Sequence, residues 1–294
     1  MHPNFINTGL QGTTTMPTLG ATRYDTSVRA EVCGRFARSM SLCAVLGAML
    51  LSGCASTGSD VTTVTVTDPT RLTQSGFLSD YKRLETTSWG GGIECWRDPG
   101  LDATKYDKIL ISNILVSLKP KDGENPMIDP SDLKVLTDYF HNSLVNAFKP
   151  QMGIVTEPVS GTIVMRIALT SLLPTQVSRS VTGTLIPYGF VAEAGSGPAS
   201  GRPAGTTPYL GETGMEMQFV DGATGSIVGE CRDTELGRKY AAELDSGADG
   251  AAGTWASGYV NAFQSWSYAK NAFDKWSLLT AQRFAELQGK AAGK

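Results

Sequence analysis

The feature that most limits this chain is an apolar run, Ser41 to Leu51, that ends in Ser52-Gly53-Cys54 and is preceded by Arg35 and Arg38. A basic flank, a short apolar stretch and small residues beyond it form a secretory signal. The run falls well short of the roughly 20 residues a bilayer-spanning helix needs. The signal region is therefore expected to cover residues 1–53, so the fold must be built from Cys54 onward. Residues 1–27 are polar and unlike a signal. A start at Met16, Val28 or Val32 would give a leader of more usual length.

Leu51-Ser52-Gly53-Cys54 resembles the bacterial lipobox, in which the cysteine is acylated and becomes the mature N-terminus. Cys54 is the expected lipidation site; the competing reading is a chance cysteine behind an ordinary signal. One acyl chain holds a protein to a membrane only marginally. Two or more, at about 0.8 kcal/mol per buried methylene, anchor it stably. Ala55 rather than Asp follows the cysteine. In a Gram-negative cell that resembles the choice for the outer membrane, facing the periplasm. The first expected partner is thus a membrane, reached through palmitate-type lipid on Cys54.

The chain has 294 residues, 41% hydrophobic and 18% charged, which suits a globular protein. The part after the signal is long enough for one domain with its own core. It carries 21 basic and 26 acidic residues. A mildly acidic domain without basic clusters is poorly suited to neutralising phosphates, so no nucleic acid is expected as a partner. Cys33 and Cys43 leave with the signal, and Cys95 and Cys231 remain for an oxidising compartment. Sequence leaves two readings open for that pair, a disulfide closing a long loop or two separate thiols.

Residues 54–74 read as the lipidated cysteine and a Ser/Thr-rich tether, and residues 75–290 as a single domain. Lys108 to Leu118 is apolar on both parities, which predicts an interior strand. Leu133, Leu136, Phe140, Leu144 and Phe148 recur at helical spacing, with Ser131 placed to cap and Pro150 to stop. Thr162 to Leu172 alternates, with Ile163, Met165, Ile167 and Leu169 on one face. Residues 174–211 are rich in Gly and Pro and read as a long insertion, an uncommon feature that often carries function. Met215, Met217 and Phe219, then a turn over Asp221–Gly225, then Ile227–Cys231, predict a hairpin. Asp233 to Gly253 reads as a polar stretch. From about Trp255 to Gln288, Tyr259, Phe263, Trp266, Phe273, Trp276, Phe284 and Leu287 mark a long amphipathic helix whose stripe is read as core. The expected architecture is α+β: a mostly antiparallel sheet of four to five strands with two main helices on one face.

No reaction chemistry emerges from the residue inventory. Downstream of the signal there is one histidine, His141, so two-His metal sites cannot form. No nucleophile elbow, Walker loop, CxxC or complete dinucleotide fingerprint occurs. Asp245 to Gly250 only faintly resembles a calcium loop, with Ala256 where a bidentate Glu belongs. Glu94, Asp98, Asp102 and Asp107 gather before the first strong strand and read as a solvated turn around Pro99-Gly100 rather than an acid–base pair. The expectation is no catalytic residue, no metal and no cofactor.

Several segments, taken in order, resemble a family of bacterial lipoproteins known as a domain of unknown function, DUF3313. They are Ser75-Gly76-Phe77-Leu78-Ser79-Asp80-Tyr81, Trp96-Arg97-Asp98-Pro99-Gly100, Tyr106-Asp107-Lys108-Ile109, Asp221 to Gly225, and Trp255 with Trp266. The likeness spans roughly residues 75–287. It implies an exported, lipid-anchored protein that is non-enzymatic by default, and it transfers no site. Cys95 and Cys231 are not among its hallmarks. The expected role is an interaction or accessory module of the cell envelope, with a protein partner. The alternative is a small-ligand binder or unrecognised enzyme with residues 174–211 as a lid.

Overall fold

A computed structural model of the chain describes residues 64–118, 128–179, 196–238 and 264–290. In chain order the strands are β1 (Thr65–Thr67), β2 (Glu85–Thr86), β3 (Glu94–Arg97), β4 (Lys108–Ile111) and β5 (Leu115–Val116), followed by helix α1 (Pro130–Phe148). Then come β6 (Gly153–Ile154), β7 (Thr162–Leu173), β8 (Glu212–Asp221), β9 (Ile227–Gly237) and helix α2 (Ser267–Leu287).

The alternation in β7 sets the plan. Ile163, Met165, Ile167 and Leu169 are fully buried on one face, level with Met215, Met217 and Phe219 of β8. Helices α1 and α2 cover that face. Phe140 of α1 stacks on Phe273 of α2 with ring centroids 4.5 Å apart, and Trp276 leans on both. Apolar residues at helical spacing thus become the shared core of two helices and a sheet, as the sequence predicts.

The α+β class is observed, but the sheet is larger than expected and mixed. Among the described residues nine strands join, in the order β2-β3-β9-β8-β7-β4-β6, with β1 on β9 and β5 on β7. From β7 to β2 the pairs are antiparallel, whereas β4 runs parallel to β6 and β7, and β5 parallel to β7. Helix α1 is the reason. A strand that feeds a long helix returns beside itself as a parallel neighbour. Four of the additional strands hold two or three residues each (β1, β2, β5 and β6), too few to show a period.

Four boundaries are corrected. Residues 65–74, read as part of a tether, are strand and packed loop: β1 pairs with β9, and Arg71 meets buried Glu212. The single strand over Lys108–Leu118 is two strands, and Leu115 and Val116 are exposed. Helix α1 is capped by Asp129, whose carboxylate accepts from the Ser131 N–H, with Pro130 in the first turn. Helix α2 starts at Ser267, not Trp255; Tyr259 and Phe263 lie outside the described residues. The hairpin closes as expected, with Asp221 N–H donating to the Ser226 carbonyl and Gly225 at a φ of 74° that favours glycine.

Candidate functional site

The outer sheet face carries charge and is covered by the chain's own N-terminal loop. Residues 68–84 run across β7, β8 and β9 and satisfy three carboxylates that are at most 1% exposed. Glu212 takes Arg71 and Ser171, Glu216 takes Ser75 and Tyr81, and Glu230 takes Ser79, Arg83 and Gln218. Burial raises the Glu230 pKa, but the Ser79 N–H, Arg83, Gln218 and Ser79 hydroxyl outweigh it and hold the carboxyl below its ordinary value. Burial, with the Glu216 carboxylate beside it, pushes the Tyr81 hydroxyl upward. Every one of these groups is engaged by the fold itself, so this face is structural.

A second charged cluster lies on the helix side. Asp233 and Glu235 point inward from β9, a strand that extends into the stretch read as polar loop. Asp233 accepts from Trp276 Nε1 at 2.7 Å, and Glu235 from Lys275 Nζ at 2.5 Å and Thr67 at 3.0 Å. Complete burial, with the Glu235 charge next to it, raises the Asp233 pKa well above the usual carboxylate range.

The third feature is open. Where α2 passes over the β3 end of the sheet, a cavity of about 180 Å³ remains between them. Its floor is Cys95 and Cys231, which face each other across β3 and β9 and are joined by a disulfide, with Cα atoms 4.1 Å apart. Its roof is Thr280, Arg283, Phe284 and Leu287 of α2. Gly229 explains the space. It lies between Arg97 and Phe219 in one cross-strand row and places no side chain there. Arg283 reaches Glu286 at 2.7 Å and lies over the Trp89 ring.

The residues singled out from sequence are scattered. Glu94 pairs with Arg232 at 2.7 Å, Asp98 closes a turn on the Gly100 N–H, Asp102 caps a short turn and Asp107 holds Lys108. His141 is half-buried on α1. Among the described residues no group of three or more His, Cys, Asp and Glu could hold a metal ion. Cys54 and the Asp245–Gly250 loop lie outside the described residues. The described flanks of the 174–211 insertion pack near Tyr268, where Gln176 bonds to Tyr209 and Leu210 joins Val64. That is the opposite end of α2 from the cavity, roughly 18 Å along the helix axis. Sequence reading missed the cavity, although Gly229 inside a strand and Arg97 in the Trp96–Gly100 segment were its visible signals.

A family model described as a protein of unknown function (DUF3313) matches residues 73–278. The chain belongs to this family. The matched span opens in the covering loop and closes within α2, so the Ser75–Tyr81 family segment is the loop that satisfies Glu216 and Glu230. The chain is also similar to the uncharacterized lipoprotein YdcL of Escherichia coli K12, at 30% identity over 200 residues, which is 66% of this chain and 78% of the relative. Two solved structures overlap more loosely, each at 12% identity. The PelC dodecamer from Paraburkholderia phytofirmans has a TM-score of 0.27, over 60% of this chain and 96% of that one. Protein XCC0632 from Xanthomonas campestris has a TM-score of 0.29, over 65% and 94%. No described helix is long and apolar enough to cross a membrane.

Proposed function

We propose that the chain is a lipid-anchored envelope protein, held through Cys54 in the outer membrane on the periplasmic side, and that it acts as a non-enzymatic interaction module. The observation that carries this is how few residues separate Cys54, along the sequence, from the first buried residue of the fold. Val64 is already buried and β1 begins at Thr65, so only residues 55–63 separate the lipid from the packed body. Fully extended, that linker reaches about 35 Å. Acylation would hold the domain at the bilayer surface rather than let it range through the periplasm. The naming of YdcL as a lipoprotein supports the anchor, and Ala55 after the cysteine supports the outer membrane.

The test is radiolabelled-palmitate incorporation with membrane fractionation, comparing wild type with Cys54→Ala. Label and outer-membrane recovery should both vanish in the variant; labelling that persists would overturn the anchor. Crosslinking in intact cells should then recover one consistent envelope protein. The cavity beside the disulfide favours a second reading, a binder of small ligands, which is compatible with the same anchor.

A further inference from the structure

The cavity under α2 has a size and a charge that together define what it can take. A cavity of roughly 150 Å³ lined by Leu, Ile and Phe is dry and binds benzene, whereas pockets for drug-sized molecules are about 300–1,000 Å³. At about 180 Å³ this one has room for a single ring or a short alkyl chain, and not for the paired chains of a phospholipid. Its walls are largely apolar: Trp89, Leu101, Ile163, Phe219, Val228 and Phe284. Among the described residues no carboxylate lines it, while Arg97 and Arg283 do. Arg283 is engaged with Glu286, but exposed Arg97 has no hydrogen bond or ion pair among the described residues. A cation without a partner beside an apolar hole suits a ligand that is apolar at one end and anionic at the other.

We infer that this cavity binds a small amphipathic anion: one short alkyl chain or ring enters between α2 and the disulfide, and its carboxylate or phosphate pairs with Arg97. The inference rests on the ligand-binding reading and adds the ligand's chemistry to it. Gly229 is the specificity-determining position, because any side chain there would enter the cavity and press on Phe219, whose ring stands 3.3 Å from the place of a Cβ.

The experiment uses the whole mature chain with Cys54→Ser, so that no detergent competes. It is titrated with octanoate, octyl phosphate, octylamine and octanol while methyl resonances of Leu101, Val228 and Leu287 are followed. Octanoate or octyl phosphate should shift these methyls saturably, and octylamine should bind at least tenfold more weakly. Which anion binds more tightly tells a carboxylate ligand from a phosphate one. Arg97→Glu, at an exposed position, should weaken the anions tenfold or more and strengthen octylamine. Thr280→Trp should abolish all binding by filling the space. Octanol binding as tightly as octanoate, with Arg97→Glu inert, would overturn the anion inference and leave the ligand-binding reading standing. No saturable shift with any of the four probes would overturn both.

Discussion

Ser79 gives Glu230 both its backbone N–H and its hydroxyl, at 2.7 and 2.9 Å. Four residues earlier Ser75 does the same for Glu216, at 2.8 and 2.6 Å. The Ser75–Tyr81 segment is therefore a clamp that supplies donors to two acids taken out of water by the sheet. Replacing one hydroxyl leaves a buried carboxylate short of a donor, which costs about 1–3 kcal/mol. Ser79→Ala and Ser75→Ala should each lose that much in urea unfolding, with no change in slope. Full stability in both variants would show that the clamp is not needed.

The Cys95–Cys231 pair yields a second prediction. It spans a sequence separation of 136 residues and joins the middle of β3 to β9. Denatured but unreduced mature protein should show no thiol that reacts at either position. Cys95→Ala/Cys231→Ala should lose about 2–5 kcal/mol. Two free thiols in the unreduced wild type would contradict it.

What could be read from the sequence follows the length and period of each element. The twelve residues of β7 and the β8–β9 hairpin show a two-residue period, and the stripes of α1 and α2 a helical one. Those elements were expected where they occur, apart from the start of α2, which the stripe puts near Trp255 and the structure at Ser267. The mixed sheet was not, because the partner of a strand is a long-range choice that short strands such as Gly153–Ile154 do not encode locally. The end of β9 was missed for another reason. Asp233 and Glu235 are charged, and burial of charge is legible only once Lys275, Trp276 and Thr67 are known to face them. The cavity could not be placed from Gly229 and Arg97 alone, because the strand that carries Gly229 and the helix above it meet only in space.

Asp233 and Glu230 make stability respond to pH in opposite directions. The Asp233 pKa is raised in the fold, so between its ordinary value of 3.8 and its folded value the native state holds the extra proton. Stability then falls as pH rises through that window, by up to about 1.4 kcal/mol per pH unit. Asp233→Asn keeps an oxygen for Trp276 Nε1 and removes the proton. It should gain on wild type steadily above about pH 4, as read by thermal unfolding across a pH series. Glu230 is depressed below its ordinary 4.5, so its contribution is complete above that value and disappears as pH falls through the folded one. Glu230→Gln should therefore flatten the acid limb alone. Parallel curves for Asp233→Asn and wild type would refute the first half.

The packed state of residues 65–74 separates two places where the chain can be shortened. A variant beginning at Val61 keeps β1, the Thr67–Glu235 bond and the Arg71–Glu212 pair, and it should match the mature protein in unfolding temperature. One beginning at Ser75 keeps the clamp but deletes all three. Glu212, 1% exposed, then loses the Arg71 guanidinium, and breaking a buried pair from one side costs about 3–5 kcal/mol. Loss of β1 also bares the edge of β9 at Thr67's partner Glu235, which shares Lys275 with the helix. The shorter variant should unfold roughly 6–20 °C lower, since about 1 kcal/mol moves the midpoint of a domain this size by roughly 2–4 °C. Equal midpoints would mean that this segment is tether after all.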